Sequence, residues 1–159
     1  MRSKILIVCT GNLCRSPMAT ALLRARLAQD PSCQDVTVES AGIWAQDGLP
    51  ASGPTLRVMR ERGFDLSDHR SRQVTRQLVA EADLVLGATP HHVEALRQAF
   101  PPAEQKIHLL AEMSGESHGV VDPYGRSDAV YRMVADELER LVTEGYEQIR
   151  ALVCPSETL

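Results

Sequence analysis

Cys9 and Arg15, with Ser16 directly after, are the residues of this chain whose types and spacing best suit chemistry. They bracket the segment Cys9-Thr10-Gly11-Asn12-Leu13-Cys14-Arg15-Ser16-Pro17, which follows the apolar run Ile5-Leu6-Ile7-Val8. If the segment wraps at the start of a helix, consecutive amides turn inward as an anion nest, with the positive end of the helix dipole behind them. Gly11 is expected to permit the tight backbone, and Arg15 to bring a planar fork of donors onto two oxygens of a tetrahedral anion. Cys9, at the strand end, would sit beneath that anion. The same surroundings favour a thiolate over a thiol. Cys9 is therefore expected to be a nucleophile at neutral pH without a separate base, with the Ser16 hydroxyl hydrogen-bonded to its sulfur.

Each residue alone has a plainer reading. A cysteine at the end of a buried strand is ordinarily a small apolar filler. A serine before a proline is ordinarily a helix N-cap, and an arginine is ordinarily solvated. It is the joint occurrence at this spacing, between a strand and a helix, that reverses the balance. Composition is consistent with such a local device. The chain has 159 residues, 43% of them apolar and 24% charged, and a net charge of −4. Nucleic acid and anionic membranes thus gain no general electrostatic attraction. An acidic protein that binds an anion must do so with a built pocket. The N-terminal apolar run is too short for a signal peptide, and no stretch reaches the length of a membrane span. A cytoplasmic setting is expected, in which Cys9, Cys14, Cys33 and Cys154 stay reduced and need not form a disulfide framework.

The elements that must position the segment alternate. Ile5 to Cys9 reads as a strand buried on both faces. Ser16-Pro17 reads as N-cap and first turn of a helix carrying Met18, Ala21, Leu22, Ala25 and Leu27. Val36-Thr37-Val38 is a short second strand ended by Ser40-Ala41-Gly42, and Leu56, Met59 and Arg60 lead to a helix end at Gly63. Ala82 to Gly87 is a third strand, Thr89-Pro90 opens a helix that stops near Phe100, and Ile107 to Leu110 is a fourth strand. A last helix starts at Ser127, with Tyr131, Val134, Leu138, Leu141, Ile149 and Leu152 on one face and Gly145 weakening its middle. Alternating strands and helices imply a parallel sheet with right-handed crossovers. The expectation is a single doubly wound α/β domain over residues 1–159, with helices on both faces. Ligands of such sheets bind beyond the carboxyl ends of the strands, where the Cys9 loop lies.

The run Val8 to Pro17 closely resembles the signature of the low-molecular-weight protein-tyrosine phosphatases: Cys, five residues, Arg, then Ser. The resemblance extends to Ser40-Ala41-Gly42, His69-Arg70-Ser71-Arg72-Gln73, Ala82-Asp83-Leu84-Val85 and Asp122-Pro123-Tyr124-Gly125. It implies a four-stranded sheet of order 2-1-3-4 and a phosphocysteine route on Cys9. Arg15 and the amides of Thr10, Gly11, Asn12, Leu13, Cys14 and Ser16 would hold the phosphate. Asp122 would protonate the leaving group and then activate water. Pro123 would stiffen that loop, and Tyr124 would wall the substrate cleft. Asn12, Ser40 and His69 match the family's supporting hydrogen-bond network, and Cys14 matches a second loop cysteine able to capture oxidised Cys9 as a disulfide. His91-His92 is expected to cap a helix start, and His108 and His118 have no ligand spacing. No metal and no cofactor are implied. The partners are a phosphorylated protein as substrate and inorganic phosphate as product, with no nucleic acid and no membrane.

For the substrate, the resemblance implies that the residue before Cys14 lines the pocket mouth, with an aliphatic side chain in tyrosine-directed members and Thr in arginine-directed ones. Leu13 stands there and favours phosphotyrosine. The single aromatic Tyr124 in the Asp122 loop and the segments Gly119 to Leu141 and Ser40 to Ile43 resemble the arginine-phosphatase branch, the alternative substrate class. Trp44 is a further candidate cleft wall. An arsenate reductase would need added redox cysteines between residues 70 and 100, where none occurs. A flavodoxin-like cofactor binder would need neither Cys9 nor Arg15. A non-catalytic phosphoprotein-binding module would ordinarily lose the nucleophile or the acid, and both candidates are present.

Overall fold

A computed structural model describes residues 2–154. Strand β1 (Ser3–Cys9) lies at the centre of a sheet. It pairs in parallel with β2 (Val36–Gly42) on one side and β3 (Leu84–Gly87) on the other, and β3 pairs in parallel with β4 (Ile107–Leu109). The order is β2-β1-β3-β4, as expected. Ile5, Leu6, Ile7 and Val8 are all buried, so the continuous apolar run of β1 reflects helices packed on both faces of the sheet.

The first helix, α1 (Arg15–Ala28), packs against the long C-terminal helix α5 (Asp128–Val153), which also contacts α2 (Gly53–Glu61). A short helix, α3 (Arg76–Glu81), precedes β3, and α4 (Pro90–Ala99) packs against β3 and β4. Side-chain caps start the later helices: Ser52, Thr75, Thr89 and Ser127 each accept an amide of the first turn. Gly63, with φ of 90°, ends α2 where a glycine was expected. No helix among the described residues is long and apolar enough to cross a membrane.

Several boundaries differ from the sequence expectation. Helix α1 begins at Arg15, so Ser16 is inside its first turn and Cys14 holds the N-cap position without a side-chain cap. The hydroxyl of Ser16 is used elsewhere, in the site described below. Strand β2 runs through Ser40-Ala41 to Gly42 because these residues pair with Ile7, Val8 and Cys9. Ala82 terminates α3, a helix without an apolar period to announce it, so β3 starts only at Leu84. Leu110 leaves β4 for a 3₁₀ turn, Leu110–Ser114. Leu152 is exposed and Val153 takes the buried position. Gly145 has a packing role in α5: a Cβ there would stand 2.8 Å from Cβ of Met113, so the missing side chain lets the 3₁₀ turn approach the helix.

A seam of ion pairs joins α2 to α5. Arg57 forms a bidentate pair with Asp128 at 3.0 and 3.0 Å. Arg132 does the same with Glu61 at 3.0 and 2.9 Å, and Arg62 reaches Asp136 and Glu139.

Candidate active site

The carboxyl end of β1 delivers Cys9 to the start of a loop that closes at the first turn of α1. Among the described residues, the amides of Gly11 through Ser16 donate to no carbonyl or side chain. They remain as a set of donors at a helix N-terminus, the kind of donor set that an anion nest requires. Cys9 is buried, and its Sγ lies 3.0 Å from the Ser16 Oγ.

Asn12 holds the loop in shape. It is fully buried with φ of 61°, a left-handed conformation that costs a non-glycine residue energy and that asparagine tolerates better than most. Every polar group of its side chain is used. Its Nδ2 donates to Ser16 Oγ at 2.8 Å and to Ser40 Oγ at 2.9 Å, while its Oδ1 accepts the amide of Arg72 at 3.0 Å. The backbone carbonyl of Asn12 accepts the Nε2 proton of His69 at 2.7 Å. Burial pushes His69 below the usual histidine range, so the ring is neutral at pH 7. Since Ser16 receives its hydrogen bond from Asn12, its own proton is free for the sulfur of Cys9. Asn12, Ser40 and His69 thus form one connected network that reaches the thiol through Ser16.

The role expected of Gly11 falls to Asn12 and Gly42. A Cβ on Gly11 would meet nothing nearer than 3.9 Å, and the left-handed residue is Asn12 instead. A Cβ on Gly42 would stand 2.4 Å from the carbonyl oxygen of Thr10. The loop can fold down on β2 only because residue 42 has no side chain. Two amides just beyond, those of Ile43 and Trp44, then bond the carbonyls of Cys9 and Thr10 at 2.9 Å each.

Arg15 is 4% exposed, a buried cation held by three groups. Its Nη1 donates to the carbonyl of Val120 at 2.9 Å, its Nη2 to Thr10 Oγ1 at 3.3 Å, and the same Nη2 lies 3.7 Å from Asp122 Oδ2. Asp122 itself is half exposed, and its Oδ1 accepts the amide of Tyr124 at 3.1 Å. These residues open onto a recess of ≈ 200 Å³ lined by Cys9, Thr10, Gly11, Leu13, Cys14, Arg15, Asp122 and Tyr124. Trp44 is 85% exposed and does not line the recess, although its amide anchors the loop. Cys14 is buried and hydrogen-bonded with Ser52 and with the hydroxyl of Tyr131, at 3.4 Å each. Burial pushes its thiol up and is the main cause of Tyr131 being pushed up to about 12.

Four contributors were not anticipated. The carbonyl of Val120 and the amide of Arg72 carry no side-chain signal. Gly42 stood in a quoted motif with no role attached. His92 was expected only to cap a helix. It does so, since its Nδ1 accepts the amide of Thr89 at 3.1 Å, and its Nε2 also reaches Thr10 Oγ1 at 2.9 Å.

The fold and this loop together define a phosphatase class, and comparison with known proteins agrees. The model of the low molecular weight phosphotyrosine protein phosphatase family matches residues 4–153. The chain belongs to this family. It is 38% identical over 151 residues to a protein-arginine-phosphatase of Geobacillus stearothermophilus, covering 94% of this chain and 98% of the relative. It is equally, at 38% over 152 residues, similar to the probable low molecular weight protein-tyrosine-phosphatase EpsP of Ralstonia nicotianae, covering 96% and 99%. The solved YwlE arginine phosphatase from Geobacillus stearothermophilus superposes with a TM-score of 0.85 at 39% identity, over 94% of each chain.

Proposed function

We propose that this chain is a cysteine-dependent protein phosphatase acting on phosphotyrosine. The observation that carries the reading is the convergence on one recess of Cys9, hydrogen-bonded by Ser16, with Arg15, Asp122 and a set of free amides. In the first step the Cys9 sulfur attacks phosphorus, the bond from phosphorus to the phenolic oxygen breaks, and Asp122 gives that oxygen its proton. In the second step Asp122 takes a proton from water as the water oxygen attacks phosphorus. The bond from sulfur to phosphorus breaks, inorganic phosphate leaves and the thiolate returns. Arg15 and the amides of residues 11–16 stabilise the charge on the equatorial oxygens in both steps. Asn12, Ser40 and His69 keep the loop in this shape before substrate arrives, and Cys14 is the residue that traps oxidised Cys9. The protein's partners are phosphorylated proteins, and a reducing, cytoplasmic setting suits a mechanism that needs Cys9 as a free thiol.

Leu13 and Tyr124 supply the apolar walls of the recess, and Asp122, the only carboxylate lining it among the described residues, is already beside Arg15. That lining suits an aromatic ring better than a guanidinium. Phosphoarginine is the second reading, supported by the arginine-phosphatase relatives. The test compares kcat/KM on a phosphotyrosine peptide and a matched phosphoarginine peptide, with Cys9→Ser as the blank. A preference for phosphotyrosine is expected, with no turnover by the blank although it still binds phosphate. A preference for phosphoarginine would overturn the substrate assignment and leave the cysteine mechanism standing. Turnover by the blank would remove the mechanism.

A further inference from the structure

We infer that His92, which lies on α4 and outside the loop, is a positioning residue that makes the Thr10 hydroxyl a dedicated hydrogen-bond donor to the bound phosphoryl group. The inference rests on the reading that the recess receives a phosphoryl group.

His92 is 1% exposed. Its Nδ1 accepts the amide of Thr89 at 3.1 Å, so in the neutral ring the proton is on Nε2. Burial and the nearby charge of Arg15 keep the ring neutral, pushing it down to about 4. Nε2 therefore donates to Thr10 Oγ1, at 2.9 Å. Arg15 Nη2 donates to the same oxygen, at 3.3 Å. A hydroxyl has two lone pairs and one proton. With both lone pairs engaged, Thr10 has only its proton to offer, and Thr10 lines the recess beside Cys9 and Arg15. A free hydroxyl would also donate to an anion, but it would first have to rotate from whatever orientation it held in the empty recess. This one can only donate, so its orientation is set before the anion arrives. The N-cap of α4 needs Nδ1 alone. The contact from Nε2 to Thr10 is surplus to capping, and this separates the two roles of one ring.

The separation allows a test. His92→Asn keeps a short acceptor for the amide of Thr89 and has no donor that reaches Thr10, whereas His92→Gln carries an amide nitrogen to about the position of Nε2. Affinity for inorganic phosphate is read from protection of Cys9 against iodoacetamide, followed by mass spectrometry, and kcat and KM are measured on a phosphotyrosine peptide. H92N is expected to weaken phosphate binding about tenfold and to lower kcat by a similar factor, the loss of one hydrogen bond to a charged group. Thr10→Val should show the same losses, the double variant H92N/T10V should be no worse than T10V, and H92Q should recover most of the loss. Should H92N melt well below the wild type, the cycle of H92N, T10V and H92N/T10V is read at a temperature where all three are folded. Additive losses, an unaffected T10V, or wild-type phosphate affinity in H92N would overturn the role of His92. Absence of phosphate protection in the wild type would instead overturn the phosphoryl reading, and the inference with it.

Discussion

Asp122 shares the recess with Cys9 yet is half exposed and stands beside a buried arginine, a setting that suits a carboxyl group exchanging protons with water and with a leaving group. Asp122→Asn keeps the shape and removes the proton. It should slow hydrolysis of phosphotyrosine, whose phenolic oxygen needs protonation, by about 10²–10⁴-fold. An activated nitrophenyl phosphate should lose far less in formation of the phosphocysteine, which burst kinetics resolves. Equal losses on the two substrates in that step would remove Asp122 from the role of acid. At this scale residue type and spacing pointed to Cys9 and Arg15 as the proposed nucleophile and anion fork, whereas Asp122 came only from the family resemblance, since Asp-Pro-Tyr-Gly by itself reads as a plain turn. It was silent about what holds Arg15. The carbonyl of Val120 can occur under any side chain, and the Thr10 contact of His92 joins residues far apart in sequence through β3 and α4.

Strand β2 does more than extend the sheet. Its last residue, Gly42, faces the Thr10 carbonyl closely enough that one methyl group must displace the loop. Gly42→Ala is therefore expected to cost about 1–3 kcal/mol of stability and to reduce kcat/KM on every substrate alike, since the nest itself is distorted. Thermal melting alongside kcat/KM checks this, and a variant that melts and turns over as the wild type would show that the loop has room to shift. The element order was legible because β1 and β3 are continuous apolar runs and the Thr89 and Ser127 caps are explicit. The ends of β2, β3 and β4 were not, since pairing partners and turn geometry set strand ends. α3 escaped because its Arg76–Glu81 stretch buries only Val79 and so has no apolar stripe.

For the molecule as a whole, two neutral histidines make stability depend on pH. His92 is held down to about 4 by burial first, then by Arg15 and His91, with Asp122 acting the other way. His69 is lowered in the same direction, by burial and then by Arg24, Arg70 and Arg72, against the hydrogen bond to Asn12. An unfolded histidine protonates near 6.5. Below that pH the unfolded chain binds protons that the folded chain refuses, so unfolding becomes easier as pH falls. The stabilisation is complete above about pH 6.5 and is lost between there and about pH 4, with His92 alone accounting for roughly 3 kcal/mol. Chemical denaturation at pH 7.5, 6 and 5 should show this decline, and His92→Gln should flatten it. A wild-type curve level across that range would contradict the protonation states assigned to both rings.

The seam between α2 and α5 is closed by exposed arginine–carboxylate pairs, whereas α2 buries little beyond Thr55, Val58 and Met59. Exposed pairs are individually weak and are screened by salt. Helix α2 is thus expected to open locally more readily as ionic strength rises, without opening of the sheet. The serine that caps α2, Ser52, is also a hydrogen-bond partner of Cys14. Raising salt from about 0.05 to 1 M should therefore quicken amide exchange in α2 selectively, by severalfold, and quicken thiol labelling of Cys14 in step with it. Ionic strength would then act as a dial on how accessible the loop's second sulfur is, with exchange in β1 left unchanged.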